Sequence, residues 1–419
     1  MTPPSLLRSR WVAVAYNVAL FVLMLAGIEY LASFYAPAWP ARALRTIPPV
    51  NADPDKPFNS WGMYDRERTL AKPPGVRFRS VFVGDSFVEF DPDGRTLTRA
   101  VEERVAADGQ GGFEAVGLGI SGTGPRSYYY RTRDVALSLS PDALFVFFVS
   151  GNDFMPSGGG QHDGWLPPLV DESPGGSLLG RIMPRTDWML VNRLRLSEFL
   201  RGNKPIPHEG DRLQAILEGP ADQRIPALVE HLRKYYFPHL DRDRLTEIVG
   251  RGGPDFWATF DKHAPGGEAL PGWLLNLVVS AEIRDDDQTR IRTPGDAEKA
   301  VKDSEIEATA SWLEGIHALA EAHHVPMHLF LIPVASMSPD FTAFWKPWPR
   351  YFSWYLLSDA RHQRLARVLA RTTVPFTDLR GDLLGVPHAF RLSDAHWNAR
   401  GQTIAVGRIR EQLRALGLR

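Results

Sequence analysis

Four short stretches of the chain carry side chains that could act on an acyl group. Gly84-Asp85-Ser86 ends one apolar run, and GLGISGTGP, with Gly117, Gly119, Gly122 and Gly124, ends a second. Ser150-Gly151-Asn152-Asp153 follows a third, and RLSDAHWNARG, residues 391–401, sets Asp394 two residues before His396. A serine hydroxyl is a poor nucleophile until an imidazole takes its proton, and a carboxylate then orients that imidazole and stabilises its charged form. Backbone N–H groups and a side-chain amide can stabilise an oxyanion, at about 2.7–4 kcal/mol per donor. A serine, a close-approaching backbone, an amide and an Asp-His pair are the set that acyl transfer needs.

These stretches need a scaffold that brings them together. Five runs read as strands: SVFVGDS from residue 80, FEAVGLG (113–119), ALFVFFVS (143–150), PMHLFLIPVA (326–335) and VPFTDL (374–379). TLTRAVEERVAAD between the first two, residues 298–324 ahead of the fourth and the tail GQTIAVGRIREQLRAL after the fifth have apolar residues at helical spacing. Continuous apolar strands alternating with helices predict an α/β protein with a parallel sheet covered on both faces. In such a sheet ligands bind outside the carboxyl ends of the strands, where the four stretches fall. Residues 154–297 break the rhythm, opening on MPSGGGQHDGW and continuing with short helical patches such as DRLQAILEG and PALVEHLRKYYF. They read as a mostly helical insertion between the third and fourth strands.

Length and composition set the outer bounds. At 419 residues the chain has room for two or three units, and a net charge of −1 gives no basic field for nucleic acid. With no cysteine there is no disulfide, thiol nucleophile or thiolate metal site. Residues 11–35, WVAVAYNVALFVLMLAGIEYLASFY, hold only Asn17 and Glu29 as strongly polar side chains. As a helix they span about 37 Å, enough to cross a hydrocarbon core of about 30 Å. Arg8 and Arg10 ahead of the run place the N-terminus in the cytoplasm and the rest across the membrane, while Arg42 and Arg45 weaken that signal. A signal peptide cut near Ala41-Arg42-Ala43 is the alternative, although the apolar core exceeds the usual 7–15 residues of one. Residues 1–36 are therefore expected as a transmembrane anchor and the Pro-rich 37–75 as a linker.

GDSF, GLGISG, SGND and DAHWN stand in the order of the sequence blocks of SGNH (GDSL-type) hydrolases, and over 76–153 and 298–419 the chain resembles that family. The resemblance implies a flavodoxin-like three-layer fold. Ser86 is then the nucleophile, His396 the base and Asp394 its orienting acid. The Ser86 amide, Gly119 and Asn152 are the oxyanion donors, and no cofactor is called for. Most of the family has Asp-x-x-His. The Asp-x-His-Trp form here is similar to an acetyltransferase-like branch acting on alginate and related envelope polysaccharides, often beside a membrane-bound O-acyltransferase. A second departure is Gly117, where Asn commonly stands and steadies the loop.

The resemblance implies a bacterial inner-membrane protein with its catalytic domain in the periplasm, handling O-acetyl esters on an envelope glycan. Transfer to a sugar hydroxyl and hydrolysis share the first half-reaction and are both open. A lipase or phospholipase is another possibility, without a Gly-x-Ser-x-Gly elbow to support the α/β-hydrolase version. A binding or assembly module that has lost turnover is a third. The aromatic segment FTAFWKPWPRYFSWY (341–355) offers Trp345 and Trp348, with Trp397, for stacking on sugar rings, for lying at a membrane interface, or else for packing the insertion onto the core. The G-x-G-x-x-G spacing at 117, 119 and 122 lacks the strand-to-helix context of a dinucleotide loop. His323, His324 and His328 read as a helix end and a strand start rather than a metal cluster, and Asp285-Asp286-Asp287 as a solvated loop.

Overall fold

The computed structural model describes residues 4–34, 59, 63–89, 95–154, 182–183, 185–186, 189–190, 208–253, 255–263 and 267–418. Arg42, Arg45, the Ala41–Ala43 stretch, residues 155–165 of the insertion and most of the 37–75 linker lie outside the described residues. The contacts divide the chain into two units, one holding the described residues of 1–67 and 167–205, the other those of 68–166 and 206–419.

The first unit is dominated by helix α1, Pro4–Ala32. Its stretch Trp11–Ala32 is long and apolar enough to cross a membrane once, a test that an N-terminal signal sequence also passes. Glu29, which with Asn17 is strongly polar within Trp11–Ala32, accepts hydrogen bonds from the Arg185 and Thr186 amides at 2.8 and 3.0 Å and from the Thr186 hydroxyl at 2.8 Å. The carboxylate is thus matched to donors rather than left bare among apolar side chains.

The second unit is α/β. Five strands, β1 (Phe78–Gly84), β2 (Phe113–Gly119), β3 (Ala143–Val149), β4 (Met327–Ile332) and β5 (Phe376–Asp378), form one sheet in the order β2-β1-β3-β4-β5. Every pairing is parallel. Val, Phe, Leu and Ile make up most of β1, β3 and β4, and these strands are buried almost throughout, as a sheet covered on both faces requires. Alternate residues face opposite ways, so Phe82, Phe145, Phe147 and Phe330 share one face, with Phe82 edge-on to Phe145 and Phe147 stacked on Phe330. That face joins the main hydrophobic cluster with Leu97, Val101 and Val105 of α3 (Leu97–Ala107) and Ile409 and Leu413 of the C-terminal helix, α14 (Ala399–Ala415). On the way from β2 to β3 the chain forms α4, Pro125–Asp134.

Helices α5 (Glu209–Glu218), α6 (Ala221–Tyr235), α7 (Arg242–Gly250) and α8 (Gly272–Ile283) fill the described part of the insertion, and their apolar residues enter the same cluster. Residues 298–324, read in sequence as one helix, divide into α9 (Pro294–Ala300) and α10 (Asp303–Ala322). A capping box at Thr293 and Asp296 starts the first, while Val301 and Lys302 are extended. After β4 come α11 (Pro339–Trp345) and α12 (Pro349–Leu369), and after β5 the single turn α13 (Arg380–Leu383).

The strand order is the flavodoxin-like one. From β1 the chain moves to β2 on one side and then crosses to β3 on the other, so the carboxyl ends of β1 and β3 border the switch point where such sheets bind ligands.

Candidate active site

Ser86 begins the one-turn helix α2, Ser86–Glu89, directly after β1. Asp85 caps that turn, its Oδ1 accepting from the Phe87 amide at 2.9 Å, and its Oδ2 lies 3.2 Å from Ser86 Oγ. His396 Nε2 lies 2.8 Å from Ser86 Oγ although 310 residues separate them. On the other side of the ring, His396 Nδ1 lies 3.4 Å from Asp394 Oδ1, and the same oxygen accepts the His396 amide at 3.1 Å. With the imidazole proton on the nitrogen facing the carboxylate, Nε2 is left to receive the hydroxyl proton.

The Asp-x-His spacing works because of Ala395. Its φ of +59° is left-handed, which folds Asp394 back onto the residue two positions later. The loop around it is braced from three sides. Phe390 pairs with Trp397 in an antiparallel bridge, the Arg391 amide donates to His396 O at 2.7 Å, and Trp345 Nε1 donates to Leu392 O at 3.2 Å. Glu268, from the insertion, accepts the Leu392 and Ser393 amides at 3.0 and 2.9 Å. Burial pushes the Asp394 carboxyl up; the hydrogen bond and charge of His396, together with Arg391, outweigh it and hold the group below the usual carboxylate range.

Asn152 comes to the site from the loop after β3. Its Nδ2 donates to Asp85 Oδ2 at 3.2 Å, and the second hydrogen of that amide is available to the cavity it lines. Beneath it Asp153 accepts from the Val149 amide and the Tyr128 hydroxyl, both at 2.7 Å. Burial drives both Asp85 and Asp153 upward from the ordinary carboxylate value, and the Asp85 charge adds to the rise at Asp153. The buried Arg131 guanidinium donates to Gly84 O, Leu118 O and Thr123 Oγ1, joining the ends of β1 and β2 to the loop that follows. Ser121 in that loop donates from its amide and hydroxyl to Glu89. The loop is thus steadied by Glu89 and Arg131, in a chain that has Gly117 where a steadying Asn was looked for.

The cavity has a volume of about 160 Å³ and is lined by Ser86, Asn152 and His396, with Phe87, Val334 and the α12 residues Trp354 and Tyr355 among its walls. Phe87 stacks on His396 at 4.7 Å between centroids, and Trp397 meets the edge of Phe87 at 5.0 Å.

Four of the residues singled out in the sequence do not take the places expected of them. Gly119 is the last residue of β2, and the next amide, Ile120, donates to Gly84 O at 3.2 Å. Backbone amides alternate in direction along a strand, so the Gly119 N–H points away from β1 and Ser86 and cannot serve as the oxyanion donor. Glycine is needed there for close packing, since a Cβ would lie 2.5 Å from the Glu89 nitrogen and 2.9 Å from Asp85 O. Trp345, Trp348 and Trp397 are all fully buried and line no part of the cavity, so no sugar ring can stack on them. Trp348 donates from Nε1 to Ile248 O at 2.9 Å and packs on Phe256 and Trp257, fastening the insertion to the core.

Glu268, Arg131, Trp354 and Tyr355 were not legible as site residues in the sequence. Each is an ordinary residue type at a position that only the fold brings near, and only the aromatic richness of 341–355 hinted at the last two.

No family model matches the chain, and no curated protein sequence matches it. Among solved structures, the chain is similar to a GDSL-like lipase from Bacteroides thetaiotaomicron, at 11% identity over 82% of this chain and 91% of that one, with a TM-score of 0.34. It is likewise similar to the lipase/acylhydrolase from Enterococcus faecalis, at 11% identity over 81% of this chain and 96% of that one, with a TM-score of 0.32.

Proposed function

We propose that this protein is a serine acyl-transfer enzyme that moves or removes short O-acyl groups, in particular O-acetyl groups, on an envelope polysaccharide. The observation that carries the reading is the relay from Asp394 through His396 to Ser86 Oγ, with the Asn152 amide lining the same cavity. Ser86 attacks the acyl carbonyl, His396 Nε2 takes the hydroxyl proton, and Asp394 holds the ring and offsets its charge. The Ser86 amide and Asn152 Nδ2 receive the oxyanion, with Gly122, at φ +73° in the loop after β2, as the second backbone donor in place of Gly119. His396 then returns the proton to the leaving hydroxyl, and water or a sugar hydroxyl resolves the acyl-enzyme.

The cavity, at about 160 Å³, is well below the roughly 300–1,000 Å³ of sites for drug-sized ligands, which favours a short acyl group over a lipid chain. The helix Trp11–Ala32 is long and apolar enough for one membrane span, and Arg8 and Arg10 ahead of it favour a catalytic unit outside the cytoplasm. A membrane-bound O-acyltransferase supplying acyl groups fits that placement as a partner.

The test uses the full chain in detergent, wild type beside Ser86→Ala and Asp394→Asn. Each is given an activated acetyl ester with and without candidate oligosaccharides, and products are read by mass. Loss of a nucleophilic serine can cost up to about 10⁶ in turnover, so Ser86→Ala should fall to background. Acetylated sugar from wild type alone identifies a transferase, and free acetate alone an esterase. Equal behaviour of wild type and Ser86→Ala would sink the catalytic reading.

A further inference from the structure

A second array of the same three residue types adjoins the cavity. Ser150 Oγ is 2.6 Å from His362 Nδ1, and His362 Nε2 is 2.8 Å from Asp378 Oδ1. Ser150 and His362 are fully buried. No acyl group can reach Ser150, so this array is not a second nucleophile. Asp378 is half-buried, which raises its carboxyl; the hydrogen bond and charge of His362, with Arg380, more than reverse this and keep it ionised. An ionised Asp378 takes the Nε2 hydrogen, and Nδ1 then faces the Ser150 hydroxyl as its acceptor.

The three residues come from three elements that meet at the site. Ser150 follows β3 and its amide donates to Ile332 O of β4 at 3.0 Å. The next two residues, Gly151 and Asn152, line the cavity. His362 belongs to α12, the helix that also presents Trp354 and Tyr355 to the cavity, and Asp378 closes β5. One imidazole therefore links the far strand, the cavity wall and the loop bearing the amide.

We infer that Ser150, His362 and Asp378 form a positioning relay that sets the Asn152 amide against the cavity. This rests on the acyl-transfer reading of that cavity. None of the three touches substrate, and they act through Asn152. A misplacement of about 1 Å can cost about 10²-fold in rate, and a lost oxyanion donor about 10²–10³-fold.

The experiment is a double-variant cycle in the full chain. Ser150→Ala should lower kcat by about 10–100-fold with KM within about threefold, and His362→Asn, which keeps a partner for Ser150, should retain more activity than His362→Ala. In an Asn152→Ala background, Ser150→Ala should cost less than about threefold more, because its effect passes through the amide already removed. Hydrogen exchange gives a reading that needs no turnover, as amides of residues 150–154 should exchange faster in Ser150→Ala while those of β1 and β2 do not. Equal losses with and without Asn152, or unchanged exchange at 150–154, would overturn the relay. Turnover that survives Ser86→Ala would instead remove the acyl-transfer reading, with the exchange result still deciding whether Ser150 orders the loop.

Discussion

Ala395 offers a sharp test of the Asp-x-His arrangement, because a single left-handed residue lets the acid meet the base. At φ +59° an L-residue carries about 1–2 kcal/mol of strain, and glycine carries none. Glycine loses about 0.5–1 kcal/mol more backbone entropy on folding, so Ala395→Gly should be stabilising by about 0.5–1 kcal/mol. For a unit of this size that raises Tm by about 1–3 °C, and kcat should stay within about threefold of wild type. Proline fixes φ near −65°, about 125° from the native value. Ala395→Pro must therefore break the 3.1 Å contact from the His396 amide to Asp394 and with it the orientation of the ring. Losing the orienting carboxylate in a serine enzyme costs up to about 10⁴ in kcat, so this variant should fall by about 10²–10⁴ and match Asp394→Asn. The assay is steady-state release of acetate from an activated ester, with thermal melts alongside. Wild-type turnover in Ala395→Pro, when Asp394→Asn is inactive, would refute the reasoning, as would a more than tenfold loss in Ala395→Gly.

Other expectations follow from the same geometry. Glu268→Ala removes the acceptor of the Leu392 and Ser393 amides, each a bond of about 1.5–3 kcal/mol to a charged group before solvent screening. Turnover should fall at least tenfold with little change in KM, read by the same ester assay. A Cβ on Gly151 would sit 3.3 Å from Trp354 Cη2, so Gly151→Ala should narrow the cavity and Trp354→Ala widen it. Across acetyl, propionyl and butyryl esters, the first should sharpen and the second relax the preference for acetyl, by about 10–200-fold per methylene. Asp394 has a lowered folded pKa, so its stabilisation is complete above the unfolded value of about 3.9 and is lost as pH falls through the lower folded value. The gap in denaturant midpoint between wild type and Asp394→Asn should therefore be open at neutral pH and close below about pH 4.

The sheet was legible because its strands are continuous apolar runs buried on both faces, and such runs announce themselves one residue at a time. The break between α9 and α10 was not, because amphipathic spacing continues across Val301 and Lys302 while the capping box at Thr293 sets a short helix of its own. Ser86, Asn152, Asp394 and His396 stand out because each type has its place after a strand or before a helix. The donor direction at Gly119 depends on strand parity and hydrogen-bond partner, which a glycine-rich stretch does not encode. Trp345 and Trp348 misled for a related reason, since an aromatic cluster reads the same whether it faces a sugar or a helix. Glu268 lies 124 residues before Leu392, and no local pattern marks a carboxylate that acts so far along the chain.

The 310-residue interval between Ser86 and His396 has a consequence in time. At about 5–20 residues per second, the ribosome makes the base about 15–60 s after the nucleophile. Throughout that interval the serine has no partner to take its proton, while Glu268 and Trp345, which hold the acid-base loop, are made ahead of the loop itself. The catalytic unit is thus inert until His396 is made, and a chain halted before residues 391–401 would carry the serine with nothing to take its proton.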